Sequence, residues 1–330
     1  MTNQPHQDAP APRNPPGSRY CIVIPCRDEE DTLERTVRSL AAQTTAPDLV
    51  VIVDDGSTDR TPEICARLAG EFAFVRVLRR QDRGRRSVGP GVIDAFYDGL
   101  ATFDVGRYDF VCKLDADLEM PPRYFARILE RMAADPRIGA MSGRPYYQRP
   151  GPNGLEMVPE PCGIDVCVGA TKFYRRACFE AIGGFVRAVM WDGIDAHTCR
   201  MLGWRNFADE DPELRYLHLR PMGSSDHNVY RGRVRWGRGQ WFMGTGALFI
   251  LASATNRILT PPILVGSVLM LFGYVSAWWR GEPRYDRPGF RTFLRRYQRL
   301  ALLKGKRRAM EMVLDAGPRA DPGPAAQGLR

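Results

Sequence analysis

The sequence lacks the features of a secreted, disulfide-stabilised protein. Its first nineteen residues are polar and contain five prolines, so they do not form a secretory signal. Eight cysteines are present, but Cys21 and Cys112 lie in apolar strand-like runs, and Cys65 and Cys178 lie in helix-like segments. We therefore expect reduced thiols and a cytosolic location for the main domain.

Common metal and nucleotide signatures are also missing. Cys162 and Cys167 have four residues between them and no second cysteine or histidine pair at ligand spacing, which excludes a structural zinc site. A dinucleotide-binding Gly-x-Gly-x-x-Gly should follow the first apolar strand, yet residues 25–29 contain no glycine. A P-loop is absent as well. These absences argue against a dinucleotide dehydrogenase and against a P-loop protein.

The composition is that of an ordinary globular protein, and the net charge is concentrated in one part of the chain. The 330 residues are 44% hydrophobic and 10% aromatic, enough for one large domain with additions or for two domains. The net charge is +9. Between Arg280 and Arg308 lie eleven basic and two acidic residues, a surplus of nine that leaves the remainder balanced. We therefore expect an anionic partner to meet the C-terminal part of the chain.

Apolar runs of strand length alternate with helix-like segments through the first half of the chain. The strand-like runs are residues 20–25, 49–53, 74–78 and 109–114, residues 138–147 are extended, and helices are predicted from residue 33 and over 61–70, 89–100 and 121–134. Near-continuous apolar strands that alternate with helices predict an α/β fold. Its sheet should be mostly parallel and covered by helices on both faces.

Two carboxylates follow the fourth of these strands. Side chains alternate along a strand, so Asp115 and Asp117 should lie on the same side at its end. Carboxylates held that close repel each other, and a bound divalent cation relieves the repulsion. Ligands of open α/β sheets bind at the carboxyl ends of the strands. The alternative is that Asp117 begins the next connection, with Asp115 solvated beside it.

Three strand ends together resemble glycosyltransferase family 2. The matching residues are Val23-Ile24-Pro25 with Glu29, then residues 53–59 (Val-Asp-Asp-Gly-Ser-Thr-Asp), then Asp115-Ala116-Asp117 in this order. The resemblance covers about residues 20–210. It implies a GT-A fold, to which the composition of the C-terminal third adds an apolar and basic helical extension. It also implies an inverting transfer of a sugar from a nucleotide-sugar donor.

The resemblance also implies roles for particular residues. Asp117, together with Asp115, would hold the Mg²⁺ or Mn²⁺ that bridges the diphosphate. A divalent cation neutralises the leaving group as the glycosidic bond breaks. The Gly-Pro-Gly turn that ends at Gly91 is by itself a weak phosphate signal. The implied nucleotide-sugar contacts are Pro25, Glu29, Asp54, Asp55, Gly91 and Asp115.

A general base is also required to take the proton of the acceptor hydroxyl. The family commonly has Glu-Asp about eleven residues before a glycine that corresponds to Gly203, and its aspartate is the base. Asp192 falls at that place, but Trp191 replaces the glutamate, so the register stays open and Asp195 is the alternative. Either aspartate could instead cap a helix.

Further roles follow from the resemblance at the end of the domain. A histidine in this region completes the metal shell in some members, which points to His218 or His227, although a structural histidine is the alternative. Arg235-Trp236 matches the end of the family's acceptor-binding Gln-x-x-Arg-Trp motif. Gly232 replaces the glutamine, so processive synthesis is not predicted. The alternative is a solvated basic loop.

The sequence of the C-terminal third predicts contact with a membrane. Residues 239–256 and 258–279 are uncharged runs of eighteen and twenty-two residues, and the second is long enough to cross a hydrocarbon core. It ends at Trp278-Trp279-Arg280, the aromatic and basic edge expected at an interface. The basic cluster that follows attracts anionic lipid head groups. Two crossings as a hairpin, interfacial helices, and two core helices of a soluble domain all remain open.

The sequence thus predicts a metal-dependent glycosyltransferase at the cytoplasmic face of the cell membrane, with a glycan or lipid-linked acceptor and no nucleic-acid partner. A polyprenyl-phosphate sugar synthase and a non-catalytic, membrane-tethered binding protein on a GT-A scaffold are the alternatives. We expect disordered termini at residues 1–19 and 316–330, a GT-A domain at 20–235, and a membrane-associated helical extension at 236–315.

Overall fold

The structure, a computed structural model, describes residues 18–82, 84, 89–152, 154–220, 229–315 and 317. Apart from residues 18, 19 and 317, both predicted disordered termini lie outside this part, as does His227. The strands are β1 Tyr20–Cys26, β2 Leu49–Asp54, β3 Val75–Arg79, β4 Phe110–Leu114, β5 Leu118–Glu119, β6 Ile138–Ser142, β7 Arg144–Gly151, β8 Gly154–Pro159, β9 Thr171–Arg175, β10 Arg205–Ala208 and β11 Arg215–His218. The helices are α1 Leu33–Ala41, α2 Thr61–Glu71, α3 Pro90–Leu100, α4 Tyr124–Ala134, α5 Arg176–Ile182, α6 Trp191–Met201, α7 Val229–Met243, α8 Ala247–Asn256, α9 Val265–Trp279, α10 Phe290–Lys304 and α11 Lys306–Asp315.

A seven-stranded sheet forms the centre of the molecule, with strand order β10-β6-β9-β4-β1-β2-β3. Strands β1 to β4 pair in parallel, and β10 pairs in parallel with β6. Strand β9 runs antiparallel to both of its neighbours, β4 and β6. A smaller sheet of order β5-β11-β7-β8 adjoins it. The prediction of a mostly parallel sheet is confirmed. The apolar pattern did not predict the antiparallel strand β9.

Helices cover both faces of the large sheet, as predicted. Ile22 and Ile24 of β1 face a buried cluster that is completed by α1, α2 and α4. Cys21 and Val23 face the opposite cluster, to which α3, α5 and α6 contribute. This alternation is the strand period of two, and both sets are buried because helices pack on each side. All eight cysteines are free thiols.

The C-terminal helices pack closely through glycine. A Cβ placed on Gly237 of α7 would lie 1.9 Å from the carbonyl oxygen of Met270. A Cβ on Gly273 of α9 would lie 2.2 Å from the carbonyl oxygen of Val234. Any larger residue at either position would push these helices apart. The predicted domain boundary between residues 235 and 236 falls inside α7 and stays a prediction.

The structure divides the longer uncharged run into two parts. Residues 258–264 form an irregular connection, and α9 begins only at Val265. Helix α9 has 15 residues, which corresponds to about 22 Å at 1.5 Å per residue. The twenty-two residues are therefore not one continuous crossing element. No helix in the described part of the chain is both long enough and apolar enough to span a membrane.

One side of these helices presents apolar side chains to the exterior. On α9 the exposed positions recur at spacings of three and four residues, which is the period of a single helix face. The exposed fraction reaches 82% at Trp279, whereas Met270, Tyr274 and Ala277 on the other side of α9 are buried. We call the exposed set the apolar face; it consists of Leu248, Leu251, Ile258, Leu259, Ile263, Leu264, Val265, Val268, Phe272, Val275, Trp278 and Trp279.

Candidate functional site

The predicted nucleotide and metal residues gather at one edge of the large sheet. In the parallel register Cys26 of β1 pairs with Asp54, the last residue of β2. Strand β4, parallel to β1, ends at Leu114, directly before Asp115. Carboxyl ends of parallel strands meet at the same edge, so Asp54, Asp55 and Asp115 lie around one crevice.

Hydrogen bonds join the loops that follow β1 and β2. The backbone N–H of Asp28 donates to Ser57 Oγ at 2.9 Å, and the N–H of Thr58 donates to Asp28 Oδ1 at 2.9 Å. The N–H of Glu30 donates to Asp59 Oδ2 at 3.1 Å. The second half of the Asp-Asp-Gly-Ser-Thr-Asp motif, residues 57–59, therefore joins the two loops that border the crevice.

Asp54 and Asp55 are both buried at this edge. Asp54 Oδ1 accepts from the N–H of Ser57 at 2.8 Å, while its Oδ2 accepts no hydrogen bond and lies 3.5 Å from Arg79 Nε. Asp55 Oδ1 pairs with Arg80 Nη1 at 2.6 Å. A buried acceptor without a hydrogen bond is costly, so Asp54 Oδ2 suits a donor on a ligand.

Asp115 and Asp117 have separate partners. Strand β4 ends at Leu114, so Asp115 and Asp117 both lie beyond it. The strand alternation from which we predicted that their side chains lie on the same side therefore does not apply to them. Asp115 Oδ1 accepts a hydrogen bond from Lys113 Nζ, which also donates to the carbonyl of Gly169 at 3.0 Å. Asp117 instead faces His218 and Arg220. The two carboxylates are thus each next to a cation of the protein itself.

His218 bridges two carboxylates. Its Nδ1 lies 2.8 Å from Oε2 of the buried Glu160, and its Nε2 lies 3.5 Å from Asp117 Oδ1. Burial lowers the pKa of His218, but the hydrogen bonds with Asp117 and Glu160 outweigh it and raise that pKa to about 10. Burial alone would raise the pKa of Asp117, yet the hydrogen bond from His218 and the nearby charges hold it below its usual value.

The donor set fits a divalent cation that takes part of its shell from a substrate. In the described part of the chain, no group of three or more His, Cys, Asp or Glu residues is gathered at a metal site. Asp117 Oδ1 and His218 Nε2, 3.5 Å apart, are near the spacing of about 3 Å between adjacent corners of an octahedral ion. Mg²⁺ is usually held by one or two carboxylates together with phosphate oxygens and waters, and Asp117 supplies one such carboxylate.

Arg220 is a site residue that the sequence patterns did not predict. Its Nη2 and Nε lie 3.1 and 3.2 Å from Asp117 Oδ2, and Nη2 also pairs with Glu29. Glu29 also accepts from Thr32 Oγ1 at 3.0 Å. Glu29, a predicted nucleotide-sugar contact, is thus tied to the arginine. The available signal was its position, two residues after His218.

Asp195 is held on every side. Lys172 Nζ lies 2.8 and 2.6 Å from its two carboxylate oxygens, and Tyr174 Oη donates to Oδ2 at 2.6 Å. Lys172 and Asp195 are almost completely buried. Burial raises the pKa of Asp195 to about 6 in spite of the lysine. We therefore infer a structural role for Asp195, and its assignment as the alternative base has little support from these contacts.

Asp192 has a different setting. It lies in the first turn of α6 and is partly exposed. A Cβ placed on Gly169 would lie 3.4 Å from Asp192 Oδ2, so Asp192 adjoins the loop whose carbonyl accepts from Lys113. The carbonyl oxygen of Asp192 accepts from Lys172 Nζ at 3.0 Å. The site therefore has one partly exposed carboxylate beside the Asp115 crevice, and its role as base stays a prediction.

Trp191 and Met190 shape the start of α6. The buried ring of Trp191 has Lys113 Nζ 5.5 Å and Lys172 Nζ 5.3 Å from its centre, within the range of cation–π attraction. The tryptophan that replaces the expected glutamate thus interacts with both lysines. Met190 has φ +68°, an uncommon value outside glycine that tends to occur at functional sites.

The remaining predicted residues are further apart. Arg235 lines a cavity between α7 and α9, whereas its neighbour Trp236 packs against the cluster around Trp241. The guanidinium of Arg257 lies 5.1 Å from the centre of the Trp236 ring. Gly91 is buried in the first turn of α3, and Pro25 lies on β1. The acceptor role of Trp236 and the nucleotide roles of Gly91 and Pro25 stay predictions.

Comparison with known proteins gives a family match for the N-terminal half of the chain. Residues 21–183 match the family model for glycosyl transferase family 2. The beta-monoglucosyldiacylglycerol synthase of Synechocystis sp. is 28% identical over 197 residues, which cover 54% of this chain and 40% of that protein. The poly-beta-1,6-N-acetyl-D-glucosamine synthase of Staphylococcus aureus is 28% identical over 127 residues, 38% of this chain and 28% of that one. The chain thus spans less than half the length of these curated relatives.

Solved structures share the fold. S. aureus TarS 1–349 in complex with UDP-GlcNAc has a TM-score of 0.52 at 16% identity, over 91% of this chain and 92% of that chain. GalNAc-T7 with UDP, GalNAc and Mn2+ has a TM-score of 0.51 at 14% identity, over 80% of this chain and 57% of that chain. At these identities the likeness establishes the fold alone.

Proposed function

Because residues 21–183 match the family model for glycosyl transferase family 2, we propose that the chain transfers a sugar from a nucleotide-diphosphate donor to an acceptor hydroxyl with inversion. The observation that carries the proposal is the Asp117–His218 pair at the same sheet edge as Asp54 and Asp55. Asp192 adjoins that edge through Gly169. A donor site, a cation site and a candidate base thus surround one crevice.

Asp117 and His218 would hold the divalent cation, Mg²⁺ or Mn²⁺, which would take the place of the proton between His218 Nε2 and Asp117 and would neutralise charge on the departing diphosphate. Asp54 and Asp55 would bind the nucleoside, with Asp54 Oδ2 as an acceptor for a ligand donor. Lys113 holds Asp115 beside them. Arg220 would have to share Asp117 with the cation, and its second partner Glu29 keeps it at the crevice.

Asp192 would take the proton of the acceptor hydroxyl while the acceptor oxygen attacks the anomeric carbon from the side opposite the leaving group. Lys172 holds the backbone carbonyl of Asp192 and fixes the first turn of α6, so the carboxylate keeps its position. A single displacement of this kind inverts the anomeric centre. It requires no nucleophile from the protein.

The donor can be identified by a thermal-shift panel of nucleotide sugars with and without Mn²⁺. A ligand that binds only the folded state raises the midpoint of unfolding, so the true donor should give the largest shift, and Mn²⁺ should increase it. Slow hydrolysis of that donor with Mn²⁺ would separate an enzyme from a binding protein on the same scaffold. If no nucleotide sugar shifts the midpoint, the proposed function is wrong.

Glu160 acts through His218 in this proposal. It holds Nδ1 of His218 and leaves Nε2 directed at Asp117. Carboxylates in this position orient a metal-binding histidine, and their loss typically costs 10- to 100-fold in metal affinity. We expect Glu160→Gln to weaken Mn²⁺ binding, measured by Mn²⁺ titration of the nucleotide-bound protein, by about tenfold or more.

The matched control is Glu156→Gln on β8, the strand that ends at Pro159, directly before Glu160. Glu156 is exposed, and its contact is a 3.4 Å pair with Arg149. Nucleotide affinity without metal should be unchanged in both variants. Equal Mn²⁺ affinity in Glu160→Gln and the wild type would show that Glu160 does not position the histidine.

We also propose that the protein binds the cytoplasmic face of the cell membrane by interfacial insertion of the apolar face. Monomeric soluble proteins rarely expose large contiguous apolar patches. Arg280 follows the apolar face directly, and Arg295 and Arg299 on α10 are exposed. Each basic residue near an anionic surface contributes roughly 1 kcal/mol, and insertion of apolar side chains adds to it.

Replacing Phe272 and Trp279 by glutamate should release the protein from anionic liposomes in a flotation assay, because both inserted side chains then carry charge. The control is Leu155→Glu on β8, whose side chain is also exposed. Neutralising Arg295 and Arg299 should weaken binding and make it more sensitive to salt, without full release. A wild-type protein that does not float with the liposomes would contradict the membrane proposal.

A further inference from the structure

A cavity of about 590 Å³ lies between α8, α9 and α10, apart from the cavity that Arg235 lines. Its volume is within the range of small-molecule sites. All of its lining residues follow residue 240, so they lie outside the part of the chain that matches the family model. We call it the arginine cavity; its wall consists of Trp241, Thr245, Gly246, Ala247, Leu248, Phe249, Tyr274, Val275, Trp278, Arg284, Arg295, Gln298, Arg299 and Leu302.

Three arginines and no carboxylate of the described chain line this cavity. Within the described residues, Arg284, Arg295 and Arg299 form no ion pair with a carboxylate. Glu282, two residues before Arg284, is instead paired with Arg238 at 2.6 Å. Burial lowers the pKa of Arg284, and the nearby positive charge of Arg295 lowers it further. The cavity therefore carries uncompensated positive charge, which favours an anionic ligand.

Arg284 has a fixed position in the wall. Its guanidinium carbon lies 3.3 Å from the centre of the Trp241 ring, so the cation lies over the face of the indole. Trp241 is itself held, because its Nε1 donates to the carbonyl of Glu282 at 2.9 Å. Arg284 Nε is buried and has no hydrogen-bond partner among the described residues. A buried donor without an acceptor is costly, so this N–H suits an oxygen atom of a ligand.

The polar part of the wall is held by hydrogen bonds. Tyr274 Oη donates to the carbonyl of Thr245 at 2.7 Å, and the N–H of Gly246 donates to Gln298 Oε1 at 2.9 Å. Gln298 Nε2 also donates to Thr245 Oγ1 at 3.3 Å. Helix α8 begins at Ala247, and no side chain caps it. The first turn of this ten-residue helix thus adds the positive end of its dipole to the arginines.

The arginine cavity opens at the apolar face. Leu248, Val275 and Trp278 line the cavity, are exposed and belong to that face. Leu302 of α10 also lines the cavity and is exposed. A soluble anion would gain nothing from these apolar side chains, whereas the acyl chains of a lipid would be partly removed from water by them. The combination of arginines and an apolar rim therefore favours a ligand that is anionic at one end and apolar at the other.

We propose that the arginine cavity binds the phosphate group of one anionic phospholipid. This inference rests on the proposed membrane binding and adds to it a site that a single lipid fills. Arg284, Arg295 and Arg299 bind the phosphate oxygens, to which arginine donates pairs of hydrogen bonds. The first part of the acyl chains lies on Leu248 and Trp278. Interfacial insertion alone requires no particular head group, whereas this site should saturate with one lipid per protein.

Short-chain lipids test the site without a bilayer, each below its micelle-forming concentration, with affinity and stoichiometry measured by calorimetry. The probes are dihexanoyl phosphatidylglycerol, dihexanoyl phosphatidylcholine, whose choline cation cancels the phosphate charge, and glycerol 3-phosphate, which has no acyl chain. The wild type should bind one molecule of the phosphatidylglycerol. Its affinity for this lipid should exceed that for either other probe by at least about tenfold, a difference of about 1.4 kcal/mol.

Two pairs of variants separate the cavity from the general surface charge. Arg299→Gln removes a cation from the cavity wall, and Arg296→Gln removes one from the same helix outside that wall. The first should weaken phosphatidylglycerol binding by about tenfold and the second by less than about twofold, although both lose the same net charge. Ala247→Trp fills the cavity from the first turn of α8 and should weaken binding at least as much as Arg299→Gln. Met312→Trp adds the same side chain on α11, where Met312 is exposed, and should change nothing.

Several results would overturn the proposal. Equal affinities for the two lipids, or equal losses in Arg299→Gln and Arg296→Gln, would show that the arginines act only as a general surface charge. Glycerol 3-phosphate that binds as tightly as the phosphatidylglycerol would show a site for a soluble phosphate and not for a lipid. Should Ala247→Trp fail to fold, Arg299→Gln still decides, because the Arg299 side chain is exposed.

Flotation with anionic liposomes distinguishes failure of this inference from failure of the membrane proposal. A wild-type protein that floats but does not bind the short-chain phosphatidylglycerol selectively refutes the lipid site alone. A protein that binds this lipid selectively but does not float keeps the site and contradicts membrane binding, and one that does neither refutes both. Arg299→Gln should retain the wild-type thermal shift with donor and Mn²⁺, because the donor crevice lies at the sheet edge, so the transferase function is tested separately.

Discussion

Asp192→Asn is expected to reduce turnover by on the order of 10²-fold or more, the usual scale for loss of a general base. The amide cannot accept the proton of the acceptor hydroxyl, while the backbone carbonyl that Lys172 holds is unchanged. Donor binding should survive because the residue acts on the other substrate. Turnover is measured with saturating donor, and donor affinity is measured separately by the thermal shift.

Asp195→Asn is the informative comparison, because it removes a carboxylate from the same helix, α6. It should leave the buried Lys172 without its counter-charge and cost about 3–5 kcal/mol of unfolding free energy, the usual range for breaking a buried pair. Denaturant unfolding measures that loss. If Asp195→Asn keeps wild-type stability and loses turnover, and Asp192→Asn does not, the base is Asp195 and our assignment is one helical turn off.

Asp117→Asn is expected to abolish Mn²⁺-dependent binding of the donor and to leave the fold intact. Its carboxylate is one of two protein ligands we assign, and the neutral amide loses both the charge and the anionic ligand atom. Arg220 would keep its contact with Glu29, so the crevice should hold its shape. Calorimetric titration of nucleoside diphosphate with and without Mn²⁺ measures the effect, and circular dichroism checks the fold.

Two variants sharpen this experiment. Asp115→Asn should have a smaller effect on Mn²⁺ dependence than Asp117→Asn, because Asp115 is bound to Lys113. Asp135→Asn removes a carboxylate that pairs with Arg205 at 2.5 Å, away from the sheet edge. This variant should not change the Mn²⁺ dependence of nucleotide binding. Retained manganese-dependent nucleotide affinity in Asp117→Asn would refute the metal assignment.

The mutual position of the predicted nucleotide-binding residues follows from the sequence, because the first strands are strong local signals. The runs 20–25 and 49–53 are within one residue of β1 and β2 in the structure, since apolar runs of that length bury well in a parallel sheet. Parallel strands bring their carboxyl ends to one edge. Asp54 and Asp55 therefore had to lie near Asp115, whatever the details of the loops.

The same reasoning did not predict the partners of these carboxylates. Glu160 and His218 are 58 residues apart and meet because β7 pairs both with β11 and with β8, the strand that ends directly before Glu160. Lys172 reaches Asp195 from β9, the antiparallel strand, and their spacing of 23 residues has no local period. Arg220 meets Glu29 across 191 residues. Contacts of this kind depend on strand order, which the apolar pattern does not encode.

By itself, the sequence determined the alternating α/β fold, the sheet edge where we propose the donor site, and the C-terminal concentration of apolar and basic residues. Each is a local pattern of burial or charge that survives in any arrangement of the loops. Tertiary structure alone decided that Asp195 is neutralised by Lys172 while Asp192 stays partly exposed. It also decided that residues 258–264 are irregular and that α9 begins only at Val265. One side of α9 lines the cavity between α7 and α9, and another side is exposed. These features depend on which distant side chains meet, and long-range packing sets those meetings.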